Sequence, residues 1–235
     1  MKKIFHSSNS RGEADHGWLK AKHSFSFANY FNPERIQFGA LRVLNDDIIA
    51  PGRGFGTHPH DNMEIITIPL EGSLEHKDSM ENVGVIEKDE IQVMSAGTGV
   101  SHSEYNKSVE KSVSLLQIWI LPKEKNVIPR YDQKNLKELQ IMNTLYPIVT
   151  PNKSGTEMWI YQDAWLHMGD FNRSTSFEYK INKKGNGVYT FVIDGCAKIS
   201  DKTLQKRDAL GIWDVKNFNI SVNKNSKLLL IEVPI

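Results

Sequence analysis

The sequence predicts an all-β protein made of two antiparallel β domains. Short β-rich runs end in turn residues: E-I-I-T-I-P-L leads into Glu71 and Gly72, and V-Y-T-F-V-I leads into Asp194 and Gly195. Acidic-Gly turns between runs of this length are typical of antiparallel sandwiches and jelly rolls. The length of 235 residues fits one large β domain or two small ones of roughly 110 residues.

The two hairpins resemble each other and indicate an internal repeat. Residues 66–75 read I-T-I-P-L-E-G-S-L-E, and residues 189–198 read Y-T-F-V-I-D-G-C-A-K. Pairing Gly72 with Gly195 gives an offset of 123 residues, which predicts two copies of one β unit. A chance resemblance of two hairpins is the alternative.

The boundary between the copies is predicted in the polar stretch 122–155, which contains four prolines. We divide the chain there into an N-terminal domain, residues 1–133, and a C-terminal domain, residues 134–235. Helical periodicity is scarce elsewhere, and its best example, Asn135 to Leu145, falls in the same stretch. This pattern predicts one short helix between or beside the two domains.

Composition argues against several classes of function. The net charge is +1 and no basic or acidic block is present, which disfavours nucleic acid or a membrane as a direct partner. Cys196 is the only cysteine, so no internal disulfide can form, as suits a reducing cytosol. The N-terminus lacks the apolar core of a signal peptide, and no run approaches the ~20 apolar residues of a membrane helix. We expect a cytoplasmic protein, with a monomer as the default.

Residues 56–64, G-T-H-P-H-D-N-M-E, contain the first candidate metal ligands. Side chains two residues apart on a strand project from the same face, so His58 and His60 can bind one ion. Glu64 shares that face if the strand continues without a bulge. Three polar residues on an ordinary strand are the alternative, since one H-x-H pair is a weak signal.

A second pair stands in residues 95–106, S-A-G-T-G-V-S-H-S-E-Y-N. His102 and Glu104 again lie two residues apart, and Gly97 and Gly99 allow a tight turn before them. Two such pairs on antiparallel strands of one barrel can converge on one ion. Three imidazoles and one carboxylate suit Fe(II), Ni(II), Mn(II), Cu(II) or Zn(II). An octahedral ion would keep two adjacent positions open, which a substrate oxygen and O₂ require.

Both segments resemble motifs of a known family. Residues 52–72 resemble the first cupin motif and residues 91–106 the second, although the closing Gly72 comes one residue late and a glycine usual at the start of the second motif is absent. The H-P-H and G-x-x-H-S-E wording is narrower and resembles pirin. Further segments resemble the bacterial pirin-like branch that includes quercetin 2,3-dioxygenases: H-G-W-L-K-A-K-H-S-F-S-F-A-N-Y-F (16–31), L-R-V-L-N-D-D (41–47), Q-I-W-I-L-P (117–122) and G-I-W-D (211–214).

The resemblance implies a bicupin, with one divalent transition metal in the N-terminal barrel. Its ligands fall on His58, His60, His102 and Glu104. Iron(II) is the expected ion, and nickel, manganese, cobalt, copper and zinc are alternatives. In many cupins the ligand carboxylate matches Glu64, whereas in pirin-like proteins it matches Glu104. Glu64 is therefore expected to support the ligands from behind or to be merely structural. A degenerate cupin that binds no metal is the alternative.

The same resemblance implies a dioxygenase that opens a flavonol such as quercetin with O₂ and releases carbon monoxide. By analogy, Glu104 would take the proton of the flavonol 3-hydroxyl group. Phe55, Met63 and Met94 flank the motifs and could line a pocket for this flat aromatic substrate, although core packing explains them equally well. A metal-dependent partner of transcription regulators, or a cupin enzyme acting on another small molecule, is the alternative function.

The remaining histidines are predicted to be structural. His23 is read as an edge or core residue, and His76 as a solvated strand residue. His167 is the only histidine after His102, so the C-terminal copy cannot build a second histidine site. The 123-residue offset places Ile181 and Lys183 opposite His58 and His60, which predicts a packed second barrel that supports the first one.

Overall fold

The computed structural model describes residues 1–151, 155 and 157–235, which form two mainly antiparallel β-barrels packed against each other. The chain begins with β1 (Lys2–His6), which belongs to the second barrel. The first barrel is formed by β2 (Gly12–Asp15), β3 (Leu19–His23), β4 (Leu41–Ile49), β5 (Gly54–His60), β6 (Glu64–Glu71), β7 (Ser73–Asp78), β8 (Val83–Glu87), β9 (Glu90–Ser95), β10 (Val100–Asn106), β11 (Val113–Ile120) and β12 (Arg130–Asn135).

The second barrel takes up β1 and the strands that follow the first barrel. These are β13 (Leu145–Thr150), β14 (Met158–Trp159), β15 (Trp165–Phe171), β16 (Thr175–Lys180), β17 (Asn186–Asp194), β18 (Cys196–Ile199), β19 (Lys202–Gln205), β20 (Ala209–Trp213), β21 (Asn217–Val222) and β22 (Ser226–Pro234). Each barrel consists of a larger and a smaller sheet whose inner faces enclose its interior.

The two barrels have the same strand order apart from the edge strands of the larger sheets. The larger sheets run β12-β9-β6-β11-β4-β3-β2 and β1-β20-β17-β22-β15-β13-β14, and the smaller sheets run β5-β10-β7-β8 and β16-β21-β18-β19. The predicted repeat of one β unit is therefore confirmed. The chain division at 133/134 cuts β12, and β1 occupies in the second sheet the edge place that β12 holds in the first.

Two glycine turns mark the repeat most clearly. Gly72 joins β6 to β7 and Gly195 joins the equivalent strands β17 and β18. Their φ angles are +79° and +78°, in the left-handed region that glycine enters without steric cost. The two turns are therefore built in the same way at equivalent places of the two barrels.

The predicted helix between Asn135 and Leu145 is wrong. Only Leu136–Glu138 is helical, as a single 3-10 turn that the Asn135 side chain caps by accepting a hydrogen bond from the Lys137 amide. Leu136 and Leu139 pack on the core, whereas Ile141 and Met142 are exposed, so too little apolar surface is buried to stabilise a longer helix. No helix in the described part of the chain is long and apolar enough to cross a membrane.

The apolar core lies in distinct layers. Alternate residues of the larger sheets meet between the barrels, where Ile66 and Ile118 of the first sheet join Phe191 and Ile231 of the second. The opposite face of the second larger sheet fills its own barrel with apolar side chains, among them Val188 and residues on the smaller sheet. The interior of the first barrel has smaller apolar clusters at its ends, which leaves its middle to polar side chains.

Candidate metal centre

Three histidines converge inside the first barrel. His58 and His60 lie on β5 and His102 on the neighbouring strand β10. Ring centroids are 4.9 Å apart for His58 and His60, 4.5 Å for His58 and His102, and 4.9 Å for His60 and His102. One ligand nitrogen from each ring lies within 4.8 Å of the others, so the three imidazoles form a triad that can hold one metal ion.

A β-bulge aims the β5 histidines at His102. His102 pairs with His58, but Glu104 pairs with Phe55, so β5 has one extra residue against β10. Bulges of this kind bend a strand and redirect its side chains, and they are common near active sites. The strands approach closely here, since a Cβ atom on Gly54 would stand 2.1 Å from the Glu104 carbonyl oxygen. The glycine-rich sequence before His58 therefore permits the bulge.

The hydrogen bonding and burial of the histidine nitrogens suit metal binding. His58 Nδ1 lies 2.8 Å from the Gly56 carbonyl oxygen and donates its hydrogen there, which leaves Nε2 as the ligand atom. His102 Nε2 is buried without a hydrogen-bond partner in the described residues. Burial, helped by His58, lowers the pKa of His60 to about 4. Burial, helped by His58 and His60, lowers the pKa of His102 to about 3. These rings are therefore neutral near pH 7 and fit a divalent transition ion.

Glu104 lies on the same strand face as His102 and is almost fully buried. Gln117 Nε2 donates to its carboxylate at 3.0 Å, and Thr67 lies 3.4 Å away. Burial raises the pKa of Glu104, and the hydrogen bond from Gln117 opposes this shift. The Glu104 carboxylate shares a second group of potential ligands with His102 and His76. His102 thus belongs to both groups.

Glu64 is not brought to the triad. The β5 strand ends at His60, and a turn with Asn62 at a φ of +45° separates it from β6. Glu64 then lies on the same face of β6 as Ile66, which points to the interface between the barrels. Its carboxylate accepts a 2.6 Å hydrogen bond from Ser95 Oγ, and burial raises its pKa to about 7. The structure gives Glu64 contacts at the barrel interface.

The expectation that His76 is solvated is wrong, because its side chain is fully buried beside the triad. His76 Nδ1 lies 3.4 Å from His102 Nδ1, and His76 Nε2 lies 3.0 Å from Asp78 Oδ2. The signal was the alternation on β7, where Leu74, His76 and Asp78 share one face. His23 is buried and hydrogen-bonded to Asn45, as its interpretation as an edge or core residue predicts.

The residues expected to line a pocket divide into two groups. Phe55 lies in an aromatic cleft with a volume of about 600 Å³, together with Trp18, Phe27 and Tyr30. The contribution of the 16–31 segment to this aromatic cleft was not predicted from the sequence. Met94 is fully buried, and it packs with the partly buried Met63 in a small cluster beside Trp119. These methionines therefore lie outside the cleft.

Aromatic side chains connect the cleft to the triad along two paths. The Phe55 ring centroid lies 6.4 Å from that of His58. On the other side, Phe27 packs edge-on against Trp119 at 5.3 Å, and Trp119 packs against His60 at 4.9 Å. The Trp119 Nε1 hydrogen has no acceptor within the described ranges. Phe55 and Trp119 therefore lie between the cleft and the metal-binding histidines.

The interior of the second barrel is apolar where the first is polar. Phe218 and Ile220 line β21, the strand equivalent to β10. Ile181 and Lys183 lie in the loop after β16 rather than on the strand, so the 123-residue offset fails there. The loop 181–185 is longer than its counterpart 61–63, which explains the mismatch. His167 packs edge-on against Tyr179, 5.6 Å between ring centroids.

Comparisons with known proteins agree with this architecture. The pirin family model matches residues 4–120, and the quercetinase C-terminal cupin domain model matches residues 147–233. A protein of Escherichia coli (strain K12) named quercetin 2,3-dioxygenase is 40% identical over 96% of both chains. A pirin-like protein of Caulobacter vibrioides is 36% identical over 94% of this chain and 95% of its own.

A solved structure gives the same result in three dimensions. The bacterial pirin YhhW from Escherichia coli, in complex with nickel(II), has a TM-score of 0.94 and 38% sequence identity, and the match covers 99% of each chain. The family and the two-domain fold predicted from the motifs are thereby confirmed. This chain belongs to the pirin family and is a bicupin.

Proposed function

We propose that this protein is a metal-dependent dioxygenase that opens the central ring of a flavonol such as quercetin with O₂ and releases carbon monoxide. The observation that carries the proposal is a triad of imidazoles linked by aromatic contacts to an aromatic cleft. The relative from Escherichia coli that is named quercetin 2,3-dioxygenase supports the substrate class.

His58, His60 and His102 are the proposed nitrogen ligands, and Glu104 is the proposed carboxylate ligand. Iron(II) is our first choice of ion, and nickel is the first alternative because the bacterial pirin from Escherichia coli was crystallised with nickel(II). A bound divalent ion supplies Lewis acidity and a template that keeps a flavonol oxygen and O₂ within reach of each other.

Glu104 is the proposed acceptor of the flavonol 3-hydroxyl proton. A carboxylate whose pKa is raised by burial is a better base than an exposed one, and Glu104 meets this condition. Gln117 Nε2 donates to the carboxylate and holds it on the inner face of the barrel. Loss of the hydroxyl proton makes the flavonol electron-rich, which prepares the ring for attack by O₂.

The aromatic cleft is the proposed flavonol site. Its volume of about 600 Å³ lies in the usual range for small-molecule sites. Trp18, Phe27, Tyr30 and Phe55 offer flat apolar surfaces against which aromatic rings can pack. Such walls also keep water away from the electron-rich ring. The cytoplasmic location and the monomeric state stay predictions.

The test is O₂ consumption with quercetin by protein loaded separately with iron, nickel, manganese, cobalt and copper. We expect at least one loaded form to consume O₂ and produce carbon monoxide, and chelation to abolish both. Metal-free protein is the control. If every loaded form binds metal but none consumes O₂, the dioxygenase proposal is wrong, and a metal-dependent binding function takes its place.

A further inference from the structure

Two histidines of the triad, His58 and His102, each have a hydrogen-bond partner at Nδ1. The two partners are of different kinds. His58 Nδ1 is held by a backbone carbonyl, that of Gly56. His102 Nδ1 instead faces a second imidazole, that of His76, at 3.4 Å. The orientation of His102 therefore depends on a side chain, whose own position must be fixed by other contacts.

Hydrogen-bond chemistry assigns the protons along this contact. A metal ligand at His102 Nε2 requires that this nitrogen be unprotonated, so the hydrogen of the neutral ring lies on Nδ1. His102 Nδ1 then donates to His76 Nδ1. The remaining hydrogen of His76 lies on Nε2, where Asp78 Oδ2 accepts it at 3.0 Å. One consistent set of tautomers therefore connects Asp78, His76 and His102.

Asp78 is fixed in place as the end of this chain. Its Oδ1 accepts hydrogen bonds from the backbone amides of Met80 at 2.9 Å and Asn82 at 3.1 Å. The Asn82 side chain also donates to Oδ2 at 2.9 Å. Because the two backbone amides bind Oδ1, Oδ2 is the oxygen that faces His76.

One face of the His76 ring is covered by the ring of Tyr131. The rings are stacked at 4.7 Å between centroids with an interplanar angle of 29°. Tyr131 fits there because Gly84 pairs with His76 across the sheet and has no side chain. A Cβ atom on Gly84 would stand 2.8 Å from the Tyr131 hydroxyl oxygen. The His76 ring is thus held by packing as well as by hydrogen bonds.

We propose that Asp78 and His76 form a hydrogen-bonded relay that fixes the tautomer and orientation of His102 toward the metal. His76 and Asp78 are positioning residues, because they act through His102. The relay rests on the proposed metal site and is independent of the flavonol substrate. Outer partners of this kind commonly change metal affinity by roughly 10- to 100-fold when they are removed.

Two variants at His76 separate hydrogen bonding from packing. His76→Leu removes both nitrogens, whereas His76→Asn retains an acceptor oxygen near the position of Nδ1. We expect His76→Leu to raise the Kd for cobalt(II) by roughly 10- to 100-fold and to shift the visible absorption bands of the bound ion. His76→Asn should recover a large part of the affinity and the wild-type spectrum.

Asp78→Asn tests the relay without removing a side chain. The backbone amides of Met80 and Asn82 still need an acceptor oxygen. The nitrogen of the new side-chain amide therefore faces His76 Nε2. His76 Nε2 must then accept a hydrogen bond, so the hydrogen of the neutral His76 ring moves to Nδ1. There it points at the hydrogen on His102 Nδ1, and the contact becomes repulsive. We expect weaker cobalt(II) binding and an altered spectrum. This variant carries the test if His76→Leu does not fold.

His167→Leu, a change of a histidine in the second barrel, is the matched control and should keep the wild-type Kd and spectrum. Thermal unfolding of the metal-free variants checks that they are folded. Folded His76→Leu and Asp78→Asn proteins with wild-type Kd and absorption bands would overturn the relay. Wild-type protein that binds neither cobalt(II) nor nickel(II) would instead reject the metal site itself.

Discussion

Thr67 and Thr190 occupy equivalent positions on the inner faces of the two larger sheets, 123 residues apart in the chain. Thr67 lies between Gln92 and Gln117 on the flanking strands, whereas Thr190 lies between two leucines, Leu210 and Leu230. One row of residues is therefore polar in the first barrel and mainly apolar in the second. The same framework supports a ligand cluster in one copy and an apolar core in the other.

The ligand assignment predicts which histidines control the metal content. His60→Ala should lower the bound metal from about one ion per chain to near zero, because a triad member is lost. His167→Leu should retain the wild-type content, since His167 lies in the second barrel beside Tyr179. Elemental analysis of the purified proteins measures both. Equal metal content in wild type and His60→Ala would contradict the assignment.

The row comparison suggests Gln117→Leu, which copies Leu230 of the second barrel into the first. The Gln117 hydrogen bond opposes the burial that raises the pKa of Glu104. Its loss should raise that pKa further. If the ionised carboxylate is the active form, the acidic limb of the kcat/KM profile moves to higher pH.

The control for this change is Gln92→Leu, at the other side of Thr67. Neither polar atom of the Gln92 side chain has a hydrogen-bond partner among the described residues, and none reaches Glu104. Gln92→Leu should leave the acidic limb in place. An unchanged acidic limb in Gln117→Leu would show that Glu104 does not control the rate.

Asp47 predicts a pH dependence of stability in the metal-free protein. It is buried, and burial, helped by Asp46 and Glu104, raises its pKa to about 8. An aspartate in the unfolded chain ionises near pH ~3.9, so the folded state holds the extra proton between these values. The free energy of unfolding therefore falls as the pH rises through this window.

Asp47→Asn removes this contribution. The stability of the variant relative to wild type should increase steadily from about pH 4 to about pH 8 and then level off. Urea unfolding of both metal-free proteins at several pH values measures the difference. A difference that is the same throughout this range would mean that Asp47 is ionised in the folded protein.

Much of the fold could be predicted from the sequence because turns and alternation are local signals. Gly72 and Gly195 revealed the repeat, since only residues that tolerate a positive φ suit these turns. The pairing of β1 with the second barrel could not be predicted, because pairing between strands so far apart in the chain leaves no local sequence pattern. The helix predicted for Asn135 to Leu145 is wrong because the spacing of apolar residues does not show whether the rest of the protein buries them.

The candidate site was predictable where its residues stand two apart on a strand, as His58 and His60 do. Glu64 was harder to place because the turn at Asn62 moves it to the other sheet, where it faces the barrel interface. The relay residues His76 and Asp78 lie on a third strand, and their relation to His102 depends on sheet pairing. Long-range pairing of this kind is invisible to spacing arguments on one sequence.

The aromatic cleft predicts how binding and turnover of the flavonol separate. Trp18 packs edge-on against Phe55 at 5.3 Å between centroids. It is not one of the proposed metal ligands. Trp18→Ala removes one wall of the cleft. An aromatic pair contributes about 0.5–1.5 kcal/mol beyond its buried area, so the KM for quercetin should rise roughly 2- to 10-fold.

The kcat and the metal content of Trp18→Ala should stay close to wild type, because the lost contact is equal in the ground state and the transition state. Trp213→Ala is the matched control, since Trp213 lies in the second barrel against Phe38. Its KM should not change. A wild-type KM in Trp18→Ala would place the flavonol outside the cleft. A fall in kcat together with bound metal would instead mean that Trp18 supports the geometry of the triad through Phe55 and His58.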